Sequence, residues 1–354
     1  MSDSTCVLIA GVGGSTPGTE LIKSFQMASH NYKIVATDMY KNSVGLFSTP
    51  YRYVIPPASS SAYINSLLKI CKKENVELLT TGSAAELEVV AKNRKLFEEN
   101  NIKLLMNPLN VIQLCNDKFE LSNLLLSKNI SCPKSFLFEN DDDLKKIEKF
   151  PLIIKPRFGS GSRNVYVVQD KEEFLFFGNY LKKYGLIPLV QEYIDAASEE
   201  YTVGILYADK GKLSCSIAMK RMLSHGFSFG QIIENTSTKS KYMISSAVSE
   251  GVFDEFKDVR DTCEKIAKLL DVNGPINIQC RKIGSDVSIF EINPRFSASL
   301  TTRTMVGFNE ADIYSRYLLF DELPEKTTYK SGFVLRNLVE KYISFSDVES
   351  VTSL

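Results

Sequence analysis

Phe290-Glu291-Ile292-Asn293-Pro294-Arg295 is the stretch on which the reading of this chain turns. An acid, an amide and a guanidinium stand close together at the end of an apolar run that begins at Val287. On a strand, Glu291 and Asn293 point to one face, because side chains alternate. The alternation Pro275-Ile276-Asn277-Ile278-Gln279 ends twelve residues before Glu291, so Gln279, on a preceding strand, can join them. Burying Glu291 in a core-like strand without a partner is costly, and a cation or Arg295 resolves that cost. Hard oxygen ligands beside an arginine are what a protein needs to hold Mg²⁺ (or Mn²⁺) against nucleotide phosphates. The expectation is a metal trio of Gln279, Glu291 and Asn293, with ATP as the nucleotide.

The rest of the composition narrows the class. A chain of 354 residues carries roughly two or three domains' worth of structure. Apolar residues make up 44% and charged residues 24%, and Lys+Arg and Asp+Glu are 42 each. Without a basic excess, a general nucleic-acid or membrane-surface binder is not expected. The seven cysteines are odd in number, scattered and never in a C-x-x-C pair, which reads as reduced buried thiols. His30 and His225 are the only histidines, too few for a zinc site or a histidine-driven hydrolase. No apolar run approaches the roughly 20 residues of a membrane span, and no signal segment opens the chain. The expected location is cytoplasmic.

Along the chain, strands and helices alternate first. Cys6–Ala10 is a strand running into Gly11-Val12-Gly13-Gly14-Ser15-Thr16-Pro17-Gly18. A helical pattern follows through Leu21, Ile22 and Phe25. Then come strand Lys33–Thr37, helix Tyr63–Glu74, strand Val76–Thr80 and a helix from Ala84 to Asn100. This order predicts a parallel, doubly wound, Rossmann-like sheet over 1–110. A helix opens at Asn116-Asp117-Lys118, with Asn116 as N-cap. A small α+β module spans 133–194, and a larger lobe of strands with one helix, Asp254–Leu270, spans 195–335. The last dozen residues read as a poorly ordered terminus, within a tail at 336–354.

Several constellations accompany the trio. Gly159-Ser160-Gly161-Ser162 follows the strand Leu152–Lys155; small residues let backbone N–H groups close over phosphate oxygens, and Lys155 can neutralise phosphate charge. Alone, such a loop is more often a plain hairpin turn. Gln191-Glu192-Tyr193-Ile194 ends a strand ahead of Glu199-Glu200, a pairing that gives an adenine slot and a ribose acid. Lys220 and Arg221 could meet a substrate carboxylate or a transferring phosphate, or lie in solvent. For His225 a surface or loop role is the simpler reading.

In order and spacing these pieces resemble the ATP-grasp superfamily, in particular the carboxylate–amine ligases and the half-units of carbamoyl phosphate synthase large subunits. The resemblance runs from Gly11 to about Gly307. It implies a Rossmann-like pre-ATP-grasp domain followed by a two-lobed ATP-grasp module at 111–335, an α/β and α+β architecture. It also implies that Arg295 is the phosphate-facing arginine and that Lys118 and Lys155 grip the nucleotide phosphates. Gly159, Ser160, Gly161 and Ser162 form a lid, and Gln191, Glu192, Tyr193 and Ile194 the adenine hinge. Glu200 matches the ribose acid, with Glu199 the alternative because the gap is one residue longer than the family pattern. The implied reaction makes an acyl phosphate from a small-molecule carboxylate and joins it to an amine, with Arg295 or Arg221 stabilising the oxyanion. A homodimer is compatible with the resemblance. Carbamoyl phosphate synthase halves carry Arg where Lys118 and Lys155 stand, which sets this chain apart from them.

Three other readings stand beside this one. One is a carbamoyl phosphate synthase-like half-module. Another is an NAD(P)-dependent oxidoreductase using Gly11-x-Gly13 and Asp38, which lies 20 residues after Gly18. Against that, Pro17 should disturb the helix start and no catalytic His, Tyr-x-x-x-Lys or Cys stands out. The last is a non-catalytic ATP-binding sensor.

Overall fold

The computed structural model describes residues 4–14, 17–159, 161–194, 199–223, 229–235, 239, 241–246, 248–324 and 328–353. The N-terminal unit contains β1 (Thr5–Ala10), α1 (Pro17–Gln26), β2 (Tyr32–Asp38), β3 (Tyr51–Val54), α2 (Tyr63–Glu74), β4 (Leu78–Thr81), α3 (Ala84–Lys92), α4 (Arg94–Glu98) and β5 (Lys103–Leu104). Every strand pairing here is parallel. β1 is buried at every position, as a strand covered on both faces by helices must be.

Three local readings change. Pro17 opens α1 instead of disturbing it: the first helical position has no intrahelical use for its N–H, and the fixed φ of proline suits it. The helix expected from Ala84 to Asn100 breaks at Asn93 (φ −103°, ψ 18°), whose side-chain amide donates to the Val89 carbonyl at 2.9 Å and so competes with the backbone ladder. Asn116 is not an N-cap; it closes α5 (Leu109–Asn116), and Asp117 caps α6 (Lys118–Ser127) by accepting from the N–H groups of Phe119 and Glu120.

The small module is a four-stranded antiparallel sheet in the order β6-β9-β7-β8, from β6 (Ser135–Leu137), β7 (Leu152–Pro156), β8 (Tyr166–Val168) and β9 (Pro188–Glu192). α7 (Lys171–Lys183) packs on it through Phe174 and Leu181. The larger lobe is built on β10 (Glu199–Ala208), β11 (Leu213–Arg221), β14 (Gly251–Phe253), β15 (Gly274–Ile283), β16 (Asp286–Asn293) and β17 (Gly332–Val334), in the order β16-β15-β10-β11-β14-β17. A separate hairpin, β12 (Phe229–Glu234) and β13 (Lys241–Ser245), stands beside it. On one face α8 (Lys257–Leu269) buries Val259, Cys263 and Ile266 against Val203, Ile205 and Ile278, each large apolar side chain contributing about 1.5–3 kcal/mol. The other face shares one core with the N-terminal unit: Leu21, Ile22 and Phe25 of α1 meet Leu206, Ile217 and Phe296. α9 (Leu300–Met305) and α10 (Glu310–Phe320) complete this face.

The C-terminal segment does not trail away. After α11 (Phe345–Glu349), β18 (Thr352–Ser353) pairs with β3 as a sixth parallel strand, and Val351 is buried. Its polar composition hid one apolar anchor and a free sheet edge to receive it.

Candidate active site

The cleft is a cavity of about 540 Å³ between the small module, the larger lobe and the rim of the N-terminal unit. Strand pairing creates its floor. β15 and β16 run antiparallel with Gln279 opposite Glu291 and Asn277 opposite Asn293. The register slips between Gln279 and Cys280, leaving Phe290 as an extra residue; a bulge of this kind re-aims side chains, and Phe290 and Glu291 both line the cleft. The Gln279 amide donates to Glu291 Oε2 at 2.9 Å, which turns its carbonyl oxygen away from that bond. Among the described residues, neither that oxygen nor Glu291 Oε1 takes a hydrogen bond. Asn293 Oδ1 lies 3.4 Å from Arg295 Nη2. The three oxygen-bearing side chains expected to act together are therefore adjacent on one floor.

Three cations face Glu291. Lys155, at the end of β7, is 8% exposed and donates to Gln191 Oε1 at 2.7 Å, a contact made possible by the antiparallel pairing of β7 and β9. Burial pushes its pKa down to about 8, with Glu291 opposing and Lys118 adding to the fall. Burial also lowers Lys118, with Glu291 and Asp117 opposing. Lys118 is delivered by the Asp117 cap, which a bidentate ion pair from Arg157 fixes at 2.6 and 2.8 Å. Its ammonium donates to the Gly159 carbonyl at 2.7 Å, so the loop after β7 lies over it. Burial lowers Arg295 in turn, with Glu291 opposing. One carboxylate among three ammonium and guanidinium groups is a surface for a polyanion.

Gly159 and Gly161 have φ of +123° and +73°, conformations that need glycine; Ser162 donates to the Ser245 carbonyl at 3.2 Å and so reaches the β12–β13 hairpin. Ser160 and His225 lie outside the described residues. Gln191, Glu192, Tyr193 and Ile194 all line the cleft. The Gln191 side chain is committed to Lys155 and that of Glu192 to the Lys134 N–H at 2.9 Å. The Tyr193 hydroxyl accepts from the Met243 N–H at 2.9 Å, tying this segment to the hairpin as well.

Strand parity separates the two acids. Glu200 stands opposite Arg281 and lines the cleft; Glu199 turns to the other face, where it bonds the Tyr201 hydroxyl and pairs with Lys220 at 3.0 Å. Lys220 thereby leaves the site. Arg221 also requires correction: it is not among the residues lining the cleft. Its side chain, 1% exposed, pairs with Glu200 at 2.7 Å and donates to the carbonyls of Ser246 and Val248. It supports Glu200 from behind.

The sequence reading missed Arg281, whose alternation from Gln279 could have revealed it. It also missed the far wall, where Pro17, Gly82, Ser83, Ala84 and Ala298 close the cleft. Gly82 is pressed so tightly there that a Cβ would fall 2.3 Å from the Gly18 nitrogen. Behind the floor, Asn277 Oδ1 accepts from Thr202 at 2.8 Å and from Arg303 at 2.6 Å. Arg303 pairs with Glu310 at 2.8 Å, their side chains 0% and 2% exposed.

Comparison with known proteins gives the family. Residues 115–299 match the ATP-grasp domain family and residues 7–105 the PylC-like N-terminal domain. The chain belongs to the ATP-grasp family. It is 24% identical over 268 residues to the carbamoyl phosphate synthase large chain of Clostridium perfringens, covering 73% of this chain but only 23% of that relative. The fold is similar to the biotin carboxylase of Campylobacter jejuni, solved as a β-γ-ATP complex (TM-score 0.66, 14% identity, 93% of this chain and 74% of that one). It is also similar to an L-amino acid ligase from Bacillus licheniformis (TM-score 0.63, 14% identity, 90% and 75%). Among the described residues, no helix is long and apolar enough to cross a membrane.

Proposed function

We propose that this protein is an ATP-dependent ligase that phosphorylates a small-molecule carboxylate and joins it to an amine, releasing ADP and phosphate. The observation that carries the reading is the meeting, in one cleft, of the Gln279–Glu291–Asn293 floor with Lys118, Lys155 and Arg295. The oxygen donors suit Mg²⁺ (or Mn²⁺), which when bound would offset charge on the β- and γ-phosphates.

The chain's own groups account for the remaining steps. Backbone groups of Glu192 to Ile194 receive the adenine, and Glu200 the ribose. Lys118 and Lys155 hold the phosphates, so that a carboxylate oxygen attacks the γ-phosphorus and ADP leaves; positioning and charge neutralisation carry such a step. The amine then attacks the acyl carbon and expels phosphate, with Arg295 beside the oxyanion. The loop of Gly159, Gly161 and Ser162, bridged to Ser245, keeps water from the acyl phosphate.

The test is an ADP-release screen of amino acids and small carboxylates, singly and in pairs, with Mg²⁺. Glu291→Ala should abolish the released ADP while circular dichroism stays unchanged; retained turnover would remove the floor's assignment. The likeness to carbamoyl phosphate synthase favours a second reading, phosphorylation of bicarbonate, which bicarbonate and ammonia in the same screen would reveal. The screen also tests the sensor reading, since a non-catalytic nucleotide binder would release no ADP with any pair.

A further inference from the structure

We infer that Arg281 is a positioning residue that makes the cleft discriminate ribonucleotides from deoxyribonucleotides, an inference that rests on the ATP reading above. Glu200 is fully buried, and both its oxygens are engaged. Arg221 Nη1 donates to Oε1 at 2.7 Å, and Arg281 Nε and Nη2 donate to Oε2 at 3.1 and 3.0 Å. A carboxylate offers about four acceptor positions. Among the described residues three are used, so one remains, enough for a single hydroxyl.

The same Arg281 guanidinium donates through Nη1 to the Ile194 carbonyl. One planar, rigid group therefore spans the hinge, where the base would lie, and the acid, where the sugar would lie. Its position is set from the sides by the rings of Tyr193 and Phe290, whose centroids lie 5.8 and 6.0 Å from its Cζ. The side chains of Arg281, Glu200 and Arg221 are 7%, 0% and 1% exposed, so the group is held by protein partners and meets the outside only through the cleft that Glu200 and Arg281 line. A lysine at this position would be a point charge and could not make the fork and the hinge bond together.

A site built around one charged acceptor for one hydroxyl rejects an analogue lacking that hydroxyl, because the buried acceptor is then left unpaired. The experiment is calorimetric titration of the full chain, with Mg²⁺, by ATP, 2′-deoxy-ATP and 3′-deoxy-ATP. The wild-type protein should bind one of the two deoxynucleotides at least about tenfold more weakly than ATP. In Arg281→Ala and Arg281→Lys that ratio should fall below about threefold, with circular dichroism unchanged. Glu200→Gln should lose the discrimination too, and Arg281→Lys carries the test if Arg281→Ala fails to fold. Discrimination that survives in both Arg281 variants, while overall affinity falls, would show that Arg281 only packs. Wild-type binding of all three nucleotides with equal affinity would overturn the inference and leave the ATP reading standing. Absence of binding by any of them would overturn both.

Discussion

Lys155 is the group through which pH should reach nucleotide binding. Burial moves its pKa from the ordinary 10.5 to about 8, against the pull of Glu291. That difference corresponds to about 3 kcal/mol spent holding a positive charge there in the protein alone. A triphosphate beside the ammonium favours the charged form, so binding raises the pKa and takes up a proton. Below about 8 the lysine is already protonated, and affinity should be flat. Above it the free protein is neutral at this position, and affinity should fall about tenfold per pH unit. The last phosphate proton is lost near ~6, so ATP itself does not change over this window. Lys118, also lowered by burial, acts in the same direction.

Titration of the full chain with Mg²⁺ and ATP from pH 7 to 9.5, in two buffers of unlike ionisation enthalpy, reads both affinity and proton uptake. Uptake should approach one proton near pH 9. Lys155→Arg keeps its charge and should remove most of the decline, whereas Lys155→Met should bind weakly at every pH. A pH-independent affinity with no proton uptake would refute the reasoning, as would a decline unaltered by Lys155→Arg. For stability the sign reverses. The folded pKa is the lower one, so between about 8 and 10.5 the unfolded chain binds more protons, and folding gains stability as pH rises.

Glu86 gives the opposite case. Burial pushes its carboxyl from 4.5 up to about 7, the Tyr63 hydroxyl opposing and Asp38 adding. Its folded pKa is the higher one, so stability is lost as pH rises through about 7; Glu86→Gln should stabilise the protein by up to about 3 kcal/mol at pH 8 and not at pH 4, measured by urea unfolding. Glu310→Ala leaves Arg303 without its buried acidic partner and should cost about 3–5 kcal/mol by the same measurement, whereas Arg303→Met with Glu310→Leu together should cost much less. Gly82→Ala drives a Cβ into the Gly18 backbone and should lower the melting temperature by several degrees, on the order of 2–4 °C per kcal/mol lost.

Residue type and two-residue alternation were enough to assemble Gln279, Glu291 and Asn293, because all three belong to one strand pair and their chemistry is unlike the apolar residues around them. Lys118 and Lys155, which line the same cleft, were legible for the same reason, each at the edge of an apolar element. What stayed hidden depends on register between strands far apart in sequence. Arg281 obeys the alternation that exposed Gln279, yet its meaning comes from standing opposite Glu200, a pairing no single segment encodes. Arg221 was misread by the same gap: a basic residue at a strand end looks free until the neighbouring strand supplies an acid. The bulge at Phe290 likewise puts two consecutive residues on a cleft that simple alternation gives to one. A cation near a catalytic motif should therefore be assigned to substrate only after the protein's own buried acids have been matched. Here Glu200 takes two arginines, and Glu291, opposed by Lys118, Lys155 and Arg295, leaves the surplus positive charge that a triphosphate would meet.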